Sequence, residues 1–168
     1  LEERVEQVNP LVNAVPTCCF DRARDRVHKN DFSNLPLAGL PVAIKDLMAV
    51  EGVKTTFGSM AFERHVPDAS DLLVQRIENA GGVIFSKTNT PEFGAGANTF
   101  NDVFGATVNP WNTRLSAAGS SGGSAVALAT GMAWLATGSD LGGSLRNPAS
   151  FCSVVGLRPS QGRVPCDP

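Results

Sequence analysis

Two glycine- and serine-rich stretches lie close together: Gly119-Ser120-Ser121-Gly122-Gly123-Ser124 and Gly138-Ser139-Asp140-Leu141-Gly142-Gly143-Ser144. Glycine lets the backbone adopt positive φ and bring its N–H groups near a ligand. Successive exposed N–H groups followed by serine can form an anion-binding nest beside a nucleophile. The competing explanation is two ordinary turns of a packed α/β protein, since Gly/Ser clusters are common loop material. Upstream, the apolar run Leu40-Pro41-Val42-Ala43-Ile44 ends at Lys45-Asp46. The run reads as a buried strand, which puts Lys45 at the strand end, where open α/β sheets carry ligand-facing residues. Two readings of Lys45 stay open on the residues alone. It snorkels to solvent, or it is partly buried, with a lowered pKa, and acts as a base.

A serine hydroxyl is a weak nucleophile at neutral pH and needs a base. The only histidines, His28 and His65, lie upstream in charged or polar surroundings and read as surface residues. Gly119-Ser120-Ser121-Gly122-Gly123 matches the G-x-S-x-G nucleophile elbow, but that turn requires a preceding strand and a later histidine, and neither is present. No S-x-x-K and no G-x-x-x-x-G-K-[ST] occurs, which removes the β-lactamase and P-loop patterns. Metal chemistry lacks ligands. Serine paired with lysine remains: a neutral lysine can deprotonate a serine, and a second serine can bridge them because a hydroxyl both donates and accepts.

These residues need a scaffold, and 168 residues suffice for one domain with a core. Hydrophobic content is 42% and charged content 18%, which excludes a disordered chain. The net charge is −2 and no Lys/Arg run occurs, so nothing points to nucleic acid. No apolar run reaches membrane-span length. Cys18, Cys19, Cys152 and Cys166 show no C-x-x-C spacing, so no zinc site is expected and a reduced, cytoplasmic compartment is the default. Cys152 reads as a small buried hydrophobe. The chain begins at Leu1, shows no signal peptide and ends in loop-like sequence at Pro168; we expect an excerpt of a longer protein.

Periodicity predicts a short helix end over 1–9, stopped by Asn9-Pro10, then an extended piece over 11–15 and a charged helix over 20–30. A helix is expected over 70–80, capped by Asp68 or Ser70 and ended by Gly81, with a strand at Val83-Ile84-Phe85. Strand, helix, strand makes a βαβ pattern with a parallel sheet. Residues 87–93 read as a polar turn, which leaves Lys87 a weak second candidate base, and 94–108 as an irregular covering loop. A helix near 123–130, a strand over 134–137, a short helix near 148–151 and a last strand over 154–157 complete the reading.

Several segments in order resemble the amidase signature family: Gly39-Leu40-Pro41-Val42-Ala43-Ile44-Lys45-Asp46, both Gly/Ser loops, Leu145-Arg146-Asn147-Pro148-Ala149, Phe151-Cys152 and Val155-Gly156-Leu157-Arg158-Pro159-Ser160. Lys87-Thr88-Asn89 and Asn109-Pro110-Trp111 are similar to the family as well. The resemblance runs from about residue 37 to 165. It implies a mixed, largely parallel α/β sheet covered by helices, of which this chain is the N-terminal portion. It also implies carboxamide hydrolysis or transfer by a Ser–cis-Ser–Lys triad without a cofactor. By position, Ser144 is the implied nucleophile, Ser120 the bridging serine after a cis peptide bond and Lys45 the base. The N–H groups of Leu141, Gly142, Gly143 and Ser144 are the implied oxyanion hole. Ser121 is the implied support for the lysine, and Asp140 and Arg146 are implied structural partners around the loop. Ala118 departs from the family, which more often has glycine there. The expected partner is a small amide substrate, with neither nucleic acid nor membrane bound directly and a homodimer as the assembly to consider. Alternatives are the glutaminase subunit of a tRNA-dependent amidotransferase and a non-catalytic fragment; Pro91-Glu92-Phe93-Gly94-Ala95-Gly96-Ala97-Asn98-Thr99 looks more like free-standing amidases than like that glutaminase.

Overall fold

A computed structural model describes residues 1–164. Elements follow in chain order: α1 (Glu2–Val12), β1 (Thr17–Cys18), α2 (Phe20–Lys29), β2 (Pro41–Lys45), α3 (Leu72–Asn79), β3 (Val83–Thr88), β4 (Phe100–Asn101), β5 (Gly105–Ala106), α4 (Gly122–Ala129), β6 (Leu135–Ala136) and α5 (Arg146–Cys152). The main sheet has the order β1-β3-β2-β6. β2 runs parallel to both β3 and β6, and only β1 is antiparallel. The expected mixed, largely parallel sheet flanked by helices is therefore present.

Alternation along β2 and β3 divides the core in two. Val42, Ile44 and Ile84 pack with Val74 of α3 and with Val50 and Val53. Ala43 and Phe85 pack on the other side with Val126 and Ala127 of α4, with Met132 and with Val5 and Val12 of α1. Register slips once, between Val42 and Ala43, so that Ile44 pairs with Lys87 and Lys45 with Thr88. α4 is small and apolar because it lies against the sheet: at Gly123 a Cβ would stand 2.6 Å from Asn89 O and 2.8 Å from Ala14 O.

Four sequence expectations change. Asn9-Pro10 does not stop α1, which continues to Val12 with Pro10 inside it. Instead the Asn9 side chain accepts from the N–H groups of Ala14 and Val15, tying down the chain after the helix. α3 begins at Leu72 after Asp71; Ser70 Oγ accepts from Glu51 N–H. The loop over 94–108 contains the small β4–β5 hairpin. Residues 154–157 form no strand, and Val155 and Leu157 are 93% and 76% exposed. Cys166 and the end of the resembling segment at Pro165 lie outside the described residues.

Candidate active site

Lys45 is the last residue of β2, and its side chain points to the α4 side of the sheet, where it is fully buried. Its Nζ lies 2.7 Å from Ser120 Oγ, 2.9 Å from Ser121 Oγ and 2.8 Å from Ser139 Oγ. Ser120 follows Gly119 through a cis peptide bond, the conformation that the resemblance implies. Ser121 occupies the N-cap position of α4 but makes no side-chain cap bond. Its hydroxyl serves the lysine instead, and also donates to Ser139 O and accepts from Ser139 N–H. The strand end is fixed by Lys45 N–H donating to Thr137 Oγ1 at 2.8 Å.

The amine thus meets three neutral oxygens and no carboxylate within hydrogen-bonding distance. Burial disfavours the ammonium form and pushes the Lys45 pKa down to about 7, against a weaker upward pull from the charge of Asp140. A neutral amine has two N–H groups and one lone pair. Among three hydroxyls it can donate twice and accept once, which is the state a base requires.

The second loop is organised by Asp140, whose side chain is 2% exposed. Its carboxylate accepts from the N–H groups of Gly143, Leu145 and Arg146 and from the Arg146 guanidinium. Arg158 donates to the Asp140 carbonyl and stands 3.6 Å from its carboxylate. These partners, with Arg146 foremost, hold the carboxyl well below the usual range. Ser121 N–H donates to Ser144 O at 3.0 Å and joins the two loops. Among the described residues the Ser144 hydroxyl makes no hydrogen bond, so the structure joins Lys45 to Ser120 but draws no bond from Ser120 to Ser144. The Gly143 N–H, expected from the sequence in an oxyanion hole, donates to Asp140 Oδ1 at 2.7 Å and is not free. Leu141 is 98% exposed, and a Cβ on Gly142 would meet nothing within 4 Å.

Lys87 requires a correction. It lies inside β3, not in a polar turn, and is fully buried against Asp46, Met48 O and Thr55 Oγ1. Ser139 is the residue that sequence reasoning missed; its signal was its place at the head of the second loop, beside Gly138. His28 is exposed, whereas His65 is half-buried against Phe57 and Phe62. Among the described residues no group of three or more His, Cys, Asp or Glu is placed to hold a metal, and no helix is long and apolar enough to cross a membrane. Cys152 is buried, and the same burial pushes its thiol up to about 11.

A buried lysine at a strand end, wrapped by serines from two glycine-rich loops, defines a serine–lysine site on a parallel α/β sheet. The chain belongs to the amidase signature family: the family model described as Amidase matches residues 1–168. A glutamyl-tRNA(Gln) amidotransferase polypeptide of Synechococcus sp. (strain CC9605) is 46% identical, over 96% of this chain and 34% of that protein. A bacterial aryl acylamidase of the amidase signature family superposes with a TM-score of 0.90 at 33% identity, over 98% of this chain and 36% of that one. The 6-aminohexanoate cyclic dimer hydrolase superposes with a TM-score of 0.84 at 38% identity, over 90% of this chain and 31% of that one. The chain spans about a third of the length of these relatives.

Proposed function

We propose that this chain carries the catalytic serines and lysine of an amidase that cleaves a carboxamide C–N bond through an acyl-enzyme. The observation that supports it most is the fully buried Lys45 amine, 2.7 Å from Ser120 Oγ and surrounded by neutral hydroxyls. Neutral Lys45 takes the proton of Ser120 as Ser120 takes that of Ser144, and Ser144 Oγ bonds to the carbonyl carbon. The relay then returns the proton to the leaving nitrogen as the C–N bond breaks, which leaves an ester on Ser144. Water attacks that ester by the same relay and releases the acid. With Gly143 N–H held by Asp140, the N–H groups of Leu141, Gly142 and Ser144 remain to receive the oxyanion. Losing one such donor costs roughly 10²–10³ in rate.

The test is intact-mass labelling with a fluorophosphonate. Ser144→Ala is expected to abolish the adduct, and Ser120→Ala and Lys45→Ala to slow it strongly. An undiminished adduct in Ser144→Ala removes the nucleophile assignment. A second reading, the glutaminase role in a tRNA-dependent amidotransferase, is favoured by the name of the 46% identical relative. Ammonia release from simple amides without a partner protein supports the first reading; release only from glutamine, with a partner present, supports the second.

A further inference from the structure

Two fully buried lysines sit on neighbouring strands and face opposite ways. Lys45 is registered against Thr88 and points with Ala43 to the α4 side; Lys87 is registered against Ile44 and points to the α3 side. Asp46 extends the ladder, its N–H donating to Thr88 O at 3.0 Å, so its side chain returns to the side of Ile44 and Lys87. There Lys87 Nζ donates to Asp46 Oδ1 at 2.9 Å, to Met48 O at 2.8 Å and to Thr55 Oγ1 at 2.8 Å. The N–H and hydroxyl of Thr56 donate to Asp46 Oδ2 at 3.1 and 2.6 Å. Both carboxylate oxygens are therefore occupied, in a pair whose side chains are 0% and 1% exposed.

The mechanism proposed above does not use this pair, yet it places a buried carboxylate one residue from the base. An opposite charge within about 4–6 Å holds an amine in its protonated form, with shifts of about 1–3 pKa units. A lysine paired in that way cannot accept a proton near neutrality. We propose that Lys87 is a positioning residue for the reaction: it holds the Asp46 carboxylate on the far side of the sheet and cancels its charge, leaving Lys45 among neutral hydroxyls. This inference rests on the reading of Lys45 as the base.

The other charges are few. Asp140 faces Lys45 from the second loop and is itself bound by Arg146 and Arg158. α4 and β6 carry no titratable side chain. Around Lys87, beyond Asp46, stand Asp71 at the start of α3 and Cys19 at the start of α2. Asp46 is thus the carboxylate nearest to Lys45 in sequence, and Lys87 is its ion-pair partner.

The test is a lysine ¹³Cε NMR titration of the intact protein that carries this chain, with fluorophosphonate labelling run alongside. In the wild type, Lys87 is expected to keep its proton through the range in which Lys45 loses it. Lys87→Met is expected to raise the Lys45 midpoint by about 1–3 units. The double variant Lys87→Met/Asp46→Asn is expected to return it to within about half a unit of the wild-type value. A wild-type Lys87 that titrates at or below Lys45 overturns the proposal, and so does a double variant displaced as far as the single one. Both readouts survive if Lys87→Met fails to fold, because the double variant leaves no unpaired buried charge. A purely structural Lys87 would lower unfolding stability without moving the Lys45 titration. Shifts as expected in a protein that takes no label keep this inference and remove the amidase reading; labelling at Ser144 without the shifts does the reverse.

Discussion

The two glycine-rich loops that meet at Lys45 are built in opposite ways. The first, 119–124, is buried throughout, and its glycines are required by backbone close by. At Gly119 a Cβ would stand 2.8 Å from the Asn98 carbonyl carbon, and at Gly123 it would meet Asn89 and Ala14 backbone. The second, 138–144, is held from inside by one carboxylate, while Leu141 and Gly142 face open space. A loop locked by the core fixes where Ser120 and Ser121 sit; a loop hung on Asp140 presents N–H groups outward. Glycine thus serves packing in one loop and access in the other.

The largest expected effect tests the locked loop. Gly123→Ala drives a methyl into strand-end backbone that cannot swing aside as a side chain could, so a loss of about 4 kcal/mol is expected, read by urea unfolding. A loss under about 1 kcal/mol would mean that the first loop is as adaptable as the second.

Lys45, which both loops grip, gives the next effect. Its pKa is about 7 in the folded chain against an ordinary 10.5, so between these values the unfolded state binds the extra proton. Stability attributable to this residue therefore rises with pH across that window, by up to about 1.4 kcal/mol per pH unit, and is flat below it. Urea unfolding of wild type and Lys45→Met between about pH 6.5 and 9.5 checks this as a difference in slope. Equal slopes would mean that the hydroxyls of the two loops do not hold a desolvated amine.

Asp140→Asn tests the suspended loop. The variant keeps the size of the side chain but removes the charge that binds Arg146, Arg158 and three backbone N–H groups. A loss of about 2 kcal/mol is expected, with faster amide hydrogen exchange confined to 141–146. Exchange that spreads equally into 119–124 would show that the loops are one unit. A smaller effect of opposite sign is expected at Ala118. It sits at φ 59, where L-residues are disfavoured, which gives a physical reason for the glycine more usual there in the family. Ala118→Gly is expected to stabilise by about 0.5–1 kcal/mol in the same unfolding assay.

How much of this was legible in the sequence follows the same divide between local and distant contacts. The apolar runs around Val42 and Ile84, with a helix between them, pointed directly to the parallel pair, because strand burial is written in consecutive residues. Lys87 was misplaced because Ser86-Lys87-Thr88 looks like polar turn material. What buries it is a carboxylate 41 positions away in sequence and a threonine 32 away. Val154-Val155-Gly156-Leu157 carries strand-like residues, yet no neighbouring strand pairs with it among the described residues. At the site, residue type and family resemblance pointed to Lys45 and Ser120, which the structure brings together. Ser139 was missed because a serine among glycines carries no local sign of facing an amine 94 positions upstream. The engagement of Gly143 N–H by Asp140 was missed because a backbone donor leaves no mark in side-chain identity.

The smallest expected change in stability is the sharpest comparison with Gly123. Gly142 is not among the glycines with positive φ, and a Cβ there would meet nothing within 4 Å. The chain itself therefore has no reason to refuse alanine, and Gly142→Ala is expected to change unfolding stability by no more than about 0.5 kcal/mol. The open space beside Gly142 is nevertheless the space that the proposed mechanism gives to the acyl group, and displacing a reacting centre by about 1 Å can cost about 10²-fold. Labelling at Ser144 is expected to slow by at least about tenfold while folding is untouched. A variant that labels at the wild-type rate would put the acyl group elsewhere; one that unfolds like Gly123→Ala would erase the difference between the two loops.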